Sequence, residues 1–244
     1  MKTYPCRDCG KSTGIERVEN RAANSLASML RCDECESQMV TADEKREADR
    51  LDDQHRRRVS EMMPKELRLM RFSTSPAPRA AVKAANEWAR AGGQLILIGD
   101  VGRGKTGLAA AAVWTRLYWK PITWTSVPTF LANLTAAYGD EERAKATAAL
   151  RAKTALALDD IDKFKPSEWA ASQLFAAIDN ALTRGTDLIV TSNKTPGQLA
   201  DFIGGDIGAA IGSRLAGCRV VKVTGPDHRL AIDIPPSINQ ASAA

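Results

Sequence analysis

Eight consecutive residues, Gly99-Asp100-Val101-Gly102-Arg103-Gly104-Lys105-Thr106, satisfy the pattern G-x-x-x-x-G-K-[ST]. In this pattern glycines bend the backbone so that successive amides converge on phosphate oxygens, and a helix opening near the lysine adds its positive end. Gly99, Gly102, Arg103, Gly104, Lys105, Thr106 and Gly107 are therefore the expected nucleotide-binding residues. Lys105 should reach the β- and γ-phosphates, and the Thr106 hydroxyl should ligate Mg²⁺. ATP and Mg²⁺ are the ligands these residue types imply. A second cluster, Asp159-Asp160-Ile161-Asp162, follows an apolar run and delivers carboxylates to a strand end. Asp159 is expected to act on magnesium through water, and Asp160 to polarise an attacking water as general base. Asp162 is expected to face solvent. Asn193, after Thr191 and Ser192, is placed to orient that water, although an Asn before Lys194-Thr195-Pro196 also suits a plain turn. Arg214 and Arg229 each offer a forked cation for charge developing on a transferring phosphoryl group, with a surface ion pair as the plainer reading.

Cysteine supplies a separate chemistry. Cys6 and Cys9 form one C-x2-C pair, and Cys32 and Cys35 form another after 22 intervening residues. Two such loops together offer four thiolates, the closed tetrahedral shell of a structural Zn²⁺ site. The spacing slightly exceeds the ribbon range of roughly 15 to 20. A fifth cysteine, Cys218, stands in an apolar stretch and reads as a small core residue. His55 and His228 show no ligand spacing with each other or with the cysteines, and are expected to be structural or solvated.

These residues need elements to hold them. Short apolar runs at Gln94–Ile98, Ile122–Ser126, Ala155–Leu158, Leu188–Thr191 and Arg219–Val223 alternate with helix-like segments. Five strands alternating with helices predict a parallel sheet with helices on both faces, an α/β fold whose ligand chemistry lies at the carboxyl ends of the strands. Each motif falls just after one of the runs. Upstream, residues 1–40 read as a zinc-binding module, 41–75 as a charged helical linker with Asp52/Arg56 and Asp53/Arg57 at i,i+4 spacing, and 76–244 as the nucleotide-binding domain. Trp114 and Trp124 are expected in or near the core and Trp119 partly exposed.

Composition sets the outer limits. At 44% hydrophobic and 26% charged over 244 residues, the chain is neither disordered nor collagen-like. No apolar run reaches the eighteen or more residues of a membrane helix, and the first residues lack the apolar core of a signal peptide, so a cytoplasmic location without membrane contact is expected. The net charge of +5 is spread along the chain, which permits nucleic-acid contact without arguing for it.

With these residues in place, the chain resembles the DnaC/IstB-type branch of the AAA+ ATPases, the P-loop NTPases that include bacterial and phage helicase loaders and transposition helpers. The likeness rests on Gly99 to Thr106, Ser126 to Leu131, Leu158-Asp159-Asp160, Thr191-Ser192-Asn193, Ser213-Arg214-Leu215 and Gly225 to Arg229. It implies that Asn193 is the sensor-1 residue and that Arg214 is an arginine finger presented to a neighbouring subunit. The family's usual His after the Lys-Thr pair is replaced by Gly107, and Asp160 stands where the wider superfamily has Glu. Only 15 residues follow Arg229, too few for the helical lid of many relatives. The resemblance implies an ATPase that forms a homo-oligomer on ATP binding and loads a replicative helicase onto single-stranded DNA. A transposition helper acting with a transposase, and a nucleotide-gated adaptor with negligible hydrolysis, are the alternatives.

Overall fold

The computed structural model describes residues 3–5, 11–16, 33–137 and 155–228. The chain divides into two compact units, Met1–Arg57 and Arg58–Ala244. In the first, β1 (Thr3–Pro5) pairs antiparallel with β2 (Ser12–Glu16), Thr3 opposite Glu16 and Pro5 opposite Ser12. Cys6, Cys9 and Cys32 lie outside the described residues, while Cys35 falls in the first turn of α1 (Asp33–Met62). Polar residues dominate α1, which suits a solvated helix. Its expected i,i+4 pair forms between Arg56 Nε and Asp52 Oδ2 at 2.7 Å, a contact worth a few tenths of a kcal/mol, about 0.3–0.5.

The second unit begins earlier than residue 76. Val59 and Met63 are buried in its core, with Leu67 and Phe72 packed against the same cluster. Apolar side chains within an otherwise charged stretch bring residues 58–75 onto the larger unit.

Five parallel strands follow the expected runs: β3 (Gln94–Ile98), β4 (Ile122–Ser126), β5 (Ala155–Asp159), β6 (Leu188–Ser192) and β7 (Arg219–Lys222). Their spatial order is β4-β5-β6-β3-β7. The helices are α2 (Arg79–Ala91), α3 (Lys105–Arg116), α4 (Val127–Ala136), α5 (Glu168–Thr183), α6 (Pro196–Ile203) and α7 (Gly205–Ala216). Period-two alternation sends successive side chains to opposite faces, and each face builds its own core. Leu95, Leu97, Ala155, Ala157 and Ile189 pack with α2 and α3, whereas Ile96, Leu156, Leu158, Leu188 and Val190 pack with α4, α5 and residues of α6 and α7. Near-continuous apolar strands are what a sheet covered on both faces requires.

Local signals place the helix starts. Ser126 accepts from the Thr129 amide, Ser167 from Ala170, and Thr195 forms a reciprocal capping box with Gln198. Trp124 is buried as expected, and Trp114 is half-buried beneath the Arg71 guanidinium, 3.4 Å from its ring centroid. Trp119 is 72% exposed. Cys218 is only half-buried, at the end of α7 rather than inside the core. Among the described residues no helix is long and apolar enough to cross a membrane.

Candidate nucleotide site

Strand order decides which motifs meet. β3 lies beside β6 with Ile98 opposite Ser192, so the loop after β3 and Asn193 leave the sheet at one level. β5 flanks β6 on its other side, Leu158 opposite Val190, which brings the Asp159–Asp162 turn next to them. The Gly99 amide donates to the Ser192 carbonyl at 3.2 Å and the Ile161 amide to that of Thr191 at 3.1 Å, stitching the three strand ends together.

The loop itself depends on glycine at two points. Gly102 has φ 77°, and a β-carbon there would collide with the Asp227 carboxylate. Gly104 caps α3 in the left-handed region at φ 82°, which turns the chain into the helix carrying Lys105 and Thr106. Arg103 donates to the Gly225 carbonyl, and the His228 amide donates to the Gly102 carbonyl at 3.0 Å. The loop after β7 is thereby tied to the phosphate loop.

Lys105 is buried, and its ammonium donates to the Asp100 carbonyl and to Asn193 Oδ1, both at 2.8 Å. Burial holds its pKa below the ordinary lysine value, against the opposing pull of Asp160 and Asp162. Asp159 is likewise buried. Its Oδ1 accepts from Thr106 Oγ1 at 2.9 Å and from Thr191 Oγ1 at 2.6 Å. Burial raises its pKa above the usual carboxylate value despite those hydroxyls. A hydroxyl and a buried carboxylate on one oxygen-rich spot fit a hard divalent cation, whose charge would hold Asp159 ionised. Asp160 takes a left-handed backbone, φ 54°, at a cost of about 1 kcal/mol, with its amide held on Thr191 Oγ1 at 2.9 Å.

Asp162 does not face solvent as expected. Its side chain is 3% exposed; it accepts from the Asn193 amide and from Asn193 Nδ2, both at 2.9 Å, and from Ser192 Oγ at 3.4 Å. Three donors released at the end of β6 draw the carboxylate inward.

A cavity of about 690 Å³ opens over these groups, lined by Gly102, Gly104, Lys105, Thr106, Gly107, Asp159, Asp160 and Asn193. Its remaining wall includes Leu67, Met70, Arg71, Thr74, Pro76, Lys163 and His228, which the motif reading does not include. The signal for those before β3 is slight: apolar residues between Pro64 and Pro76, at the end of a stretch that reads as a charged helical linker. His228 Nε2 is buried without a hydrogen-bond partner among the described residues, so this histidine is a wall of the cavity rather than a solvated side chain. Thr191, which joins Asp159 to Asp160, carries no chemical signature of its own in the sequence.

Arg214 does not line the cavity. Its Nε donates to Asp179 Oδ1 at 2.6 Å and its guanidinium lies 5.8 Å from the Phe175 ring centroid. Arg229 falls outside the described residues.

Among solved structures, the chain is similar to DnaI at 21% identity with a TM-score of 0.57, over 68% of this chain and 94% of that one. The DnaC helicase loader matches at 16% identity and 0.54, over 66% and 100%. AMPPCP-bound DnaA from Aquifex aeolicus matches at 17% and 0.54, over 66% and 52%. The chain spans about half the length of the DnaA structures it matches. At these identities the likeness is one of fold. No curated protein matches the chain. The family model described as IstB-like ATP binding protein matches residues 15–233, nearly the whole chain, and with the phosphate loop and its carboxylate partner assembled at one sheet edge, the protein belongs to that family.

Proposed function

We propose that the protein binds and hydrolyses ATP and uses the cycle to load a replicative helicase onto single-stranded DNA. The observation that carries the hydrolytic part is the meeting of Lys105, Thr106, Asp159, Asp160 and Asn193 on one cavity. Lys105 would neutralise the β- and γ-phosphates, and Thr106 and Asp159 would hold Mg²⁺, which when bound supplies further neutralisation of phosphate charge. Asp160 takes the proton of the attacking water as its oxygen bonds to the γ-phosphorus. The bond from phosphorus to the β,γ-bridging oxygen breaks, its electron pair leaving on ADP.

Arg214 is proposed as a residue given to a neighbouring subunit. Its ion pair with Asp179 is 46% and 32% exposed, a type worth at most about 1 kcal/mol, and is weak enough to be exchanged. Arg214→Ala and Lys105→Ala, each inactive alone, should recover partial turnover when mixed. Recovery absent from demonstrably mixed oligomers would assign Arg214 to its own fold.

The loader reading draws on similarity to DnaI and to the DnaC helicase loader, and the family name equally admits a transposition helper. The partner experiment is capture from the host with ATP or ADP. An ATP-dependent hexameric helicase supports the first reading, and a transposase the second. ATP-dependent capture without any ATP turnover would leave the adaptor reading. The N-terminal cysteines are proposed to hold one Zn²⁺: Cys6 and Cys9 fall between β1 and β2 in sequence, and Cys35 falls in the first turn of α1. Metal analysis of protein purified without chelator should give about one zinc per chain.

A further inference from the structure

Behind Asn193, which lines the cavity, lies a buried carboxylate that the hydrolysis reading leaves without a task. Both oxygens of Asp162 engage Asn193, Oδ1 accepting its backbone amide and Oδ2 its Nδ2, each at 2.9 Å, with Ser192 Oγ at 3.4 Å from Oδ1 and the Lys163 ammonium at 3.8 Å from Oδ2 as the more distant partners. A carboxylate can only accept, so the nitrogen of the Asn193 side chain must face it. The amide oxygen is then forced to the opposite side, where it meets the Lys105 ammonium at 2.8 Å. The two contacts agree on the orientation, because an ammonium can only donate. With its side chain 3% exposed, Asp162 is shielded from the water that would otherwise compete for Nδ2.

We infer that Asp162 is a positioning residue that sets the polarity of Asn193, presenting Oδ1 and not Nδ2 to the γ-phosphate position. This rests on the hydrolysis reading above. Asn193 Oδ1 accepts from the Lys105 ammonium. When phosphate oxygens take over the ammonium, the same Oδ1 still points inward as an acceptor. It can receive one O–H of the attacking water while Asp160 receives the other, aligning the oxygen's lone pair on phosphorus. An unclamped Asn193 could turn its nitrogen toward the phosphate and would orient water no better than solvent does.

The test is Asp162→Asn, which keeps the shape but offers the Asn193 amide a partner in either orientation. The turnover number should fall about tenfold to a hundredfold, the scale of a misoriented reacting group, while the Kd for a non-hydrolysable ATP analogue stays within about threefold. In an Asn193→Ala background the same substitution should cost nothing further, since the two act as one unit. Unchanged turnover, or an equal loss in both backgrounds, would overturn the inference. An arm without catalysis reads the geometry directly. In the parent protein the Asn193 side-chain amide, assigned by its absence from Asn193→Ala, should show slow hydrogen exchange that Asp162→Asn abolishes. Rapid exchange in the parent would dismiss the clamp even if Asp162→Asn fails to fold. A parent that binds ATP without turning it over defeats the hydrolysis reading, and the exchange measurement still decides the orientation.

Discussion

The two ends of the sheet both bury charge, and they treat it in opposite ways. At the amino ends of the strands Asp187 is met by Arg116 Nη2 at 2.5 Å, Lys120 Nζ at 3.1 Å and the Gly93 amide at 2.8 Å. Arg116 Nη1 donates to the carbonyls of Ala89 and Arg90, while its buried Nε has no hydrogen-bond partner among the described residues. Burial alone would raise the Asp187 pKa, but the Gly93 amide and the two cations outweigh it and hold the group below the usual carboxylate value. At the carboxyl ends the hydrogen-bond partners are neutral: Lys105 rests on a carbonyl and an amide oxygen, Asp159 on two hydroxyls. There burial wins, lowering Lys105 and raising Asp159. A closed cluster holds the fold together. An under-compensated one suits the proposed ligands, an anion at Lys105 and a cation at Asp159.

The sharpest way to break this comparison is Asp160→Asn. Removing the proposed general base should lower turnover by roughly 10²–10⁴-fold while ATP remains bound, because the amide cannot take a proton. Measured phosphate release at the parent rate would move the base elsewhere. Next comes a paired comparison of cations. Lys105→Ala should weaken ATP binding by about a hundredfold, the loss of a charge-assisted contact of about 3 kcal/mol, with little effect on thermal stability. Asp187→Asn should do the reverse. It leaves Arg116 buried without its counter-ion and should cost about 3 kcal/mol by chemical denaturation, with ATP affinity unchanged.

A smaller effect tests the under-compensated end. Asp159→Asn should leave the stability of the nucleotide-free protein unchanged or slightly higher, since it removes a buried ionised group held by neutral partners, yet abolish the magnesium dependence of ATP binding. Stability against pH should separate the two ends by sign. The contribution of Asp187, whose folded pKa is lowered, is present above the unfolded carboxylate value and is lost as pH falls through the folded one. Asp159 has a raised folded pKa, so its ionisation penalises the fold and is relieved as pH falls through that value. Denaturation series from pH 7 downward should therefore show a steeper acid loss for the parent than for Asp187→Asn, and a loss of the opposing relief in Asp159→Asn.

That the phosphate loop and the Asp159-Asp160 pair meet at one sheet edge was legible because both motifs depend on residue type at fixed short spacing after an apolar run. The five strands were legible for a related reason: each apolar run is bounded by turn residues, and the structure moves their ends by only a residue. Extending β5 to Asp159 and β6 to Ser192 puts these residues at the strand ends where the site forms. The cavity's other wall was not legible, since Leu67, Met70, Pro76 and His228 come from segments remote in sequence.

Asp162 marks the limit between the two levels most clearly. In the one-dimensional pattern it is a third acid after a strand, and an unpaired carboxylate belongs in water. The parallel placement of β5 against β6 sets three donors in front of it, which with the neighbouring Lys163 ammonium at 3.8 Å offset its burial. The same holds for Asp187, which is a polar residue ahead of a strand until α3 brings Arg116 and the turn after it brings Lys120 to it. Sequence determined that this chain carries a phosphate loop, its carboxylate partners and the alternating strands and helices to hold them, because those depend on local backbone chemistry and on period. Beyond the local contacts of Asp162 with Lys163 and of Lys105 with the Asp100 carbonyl, the partners of the buried charges were decided by the tertiary structure, because strand order brings within about 3 Å groups that are remote along the chain.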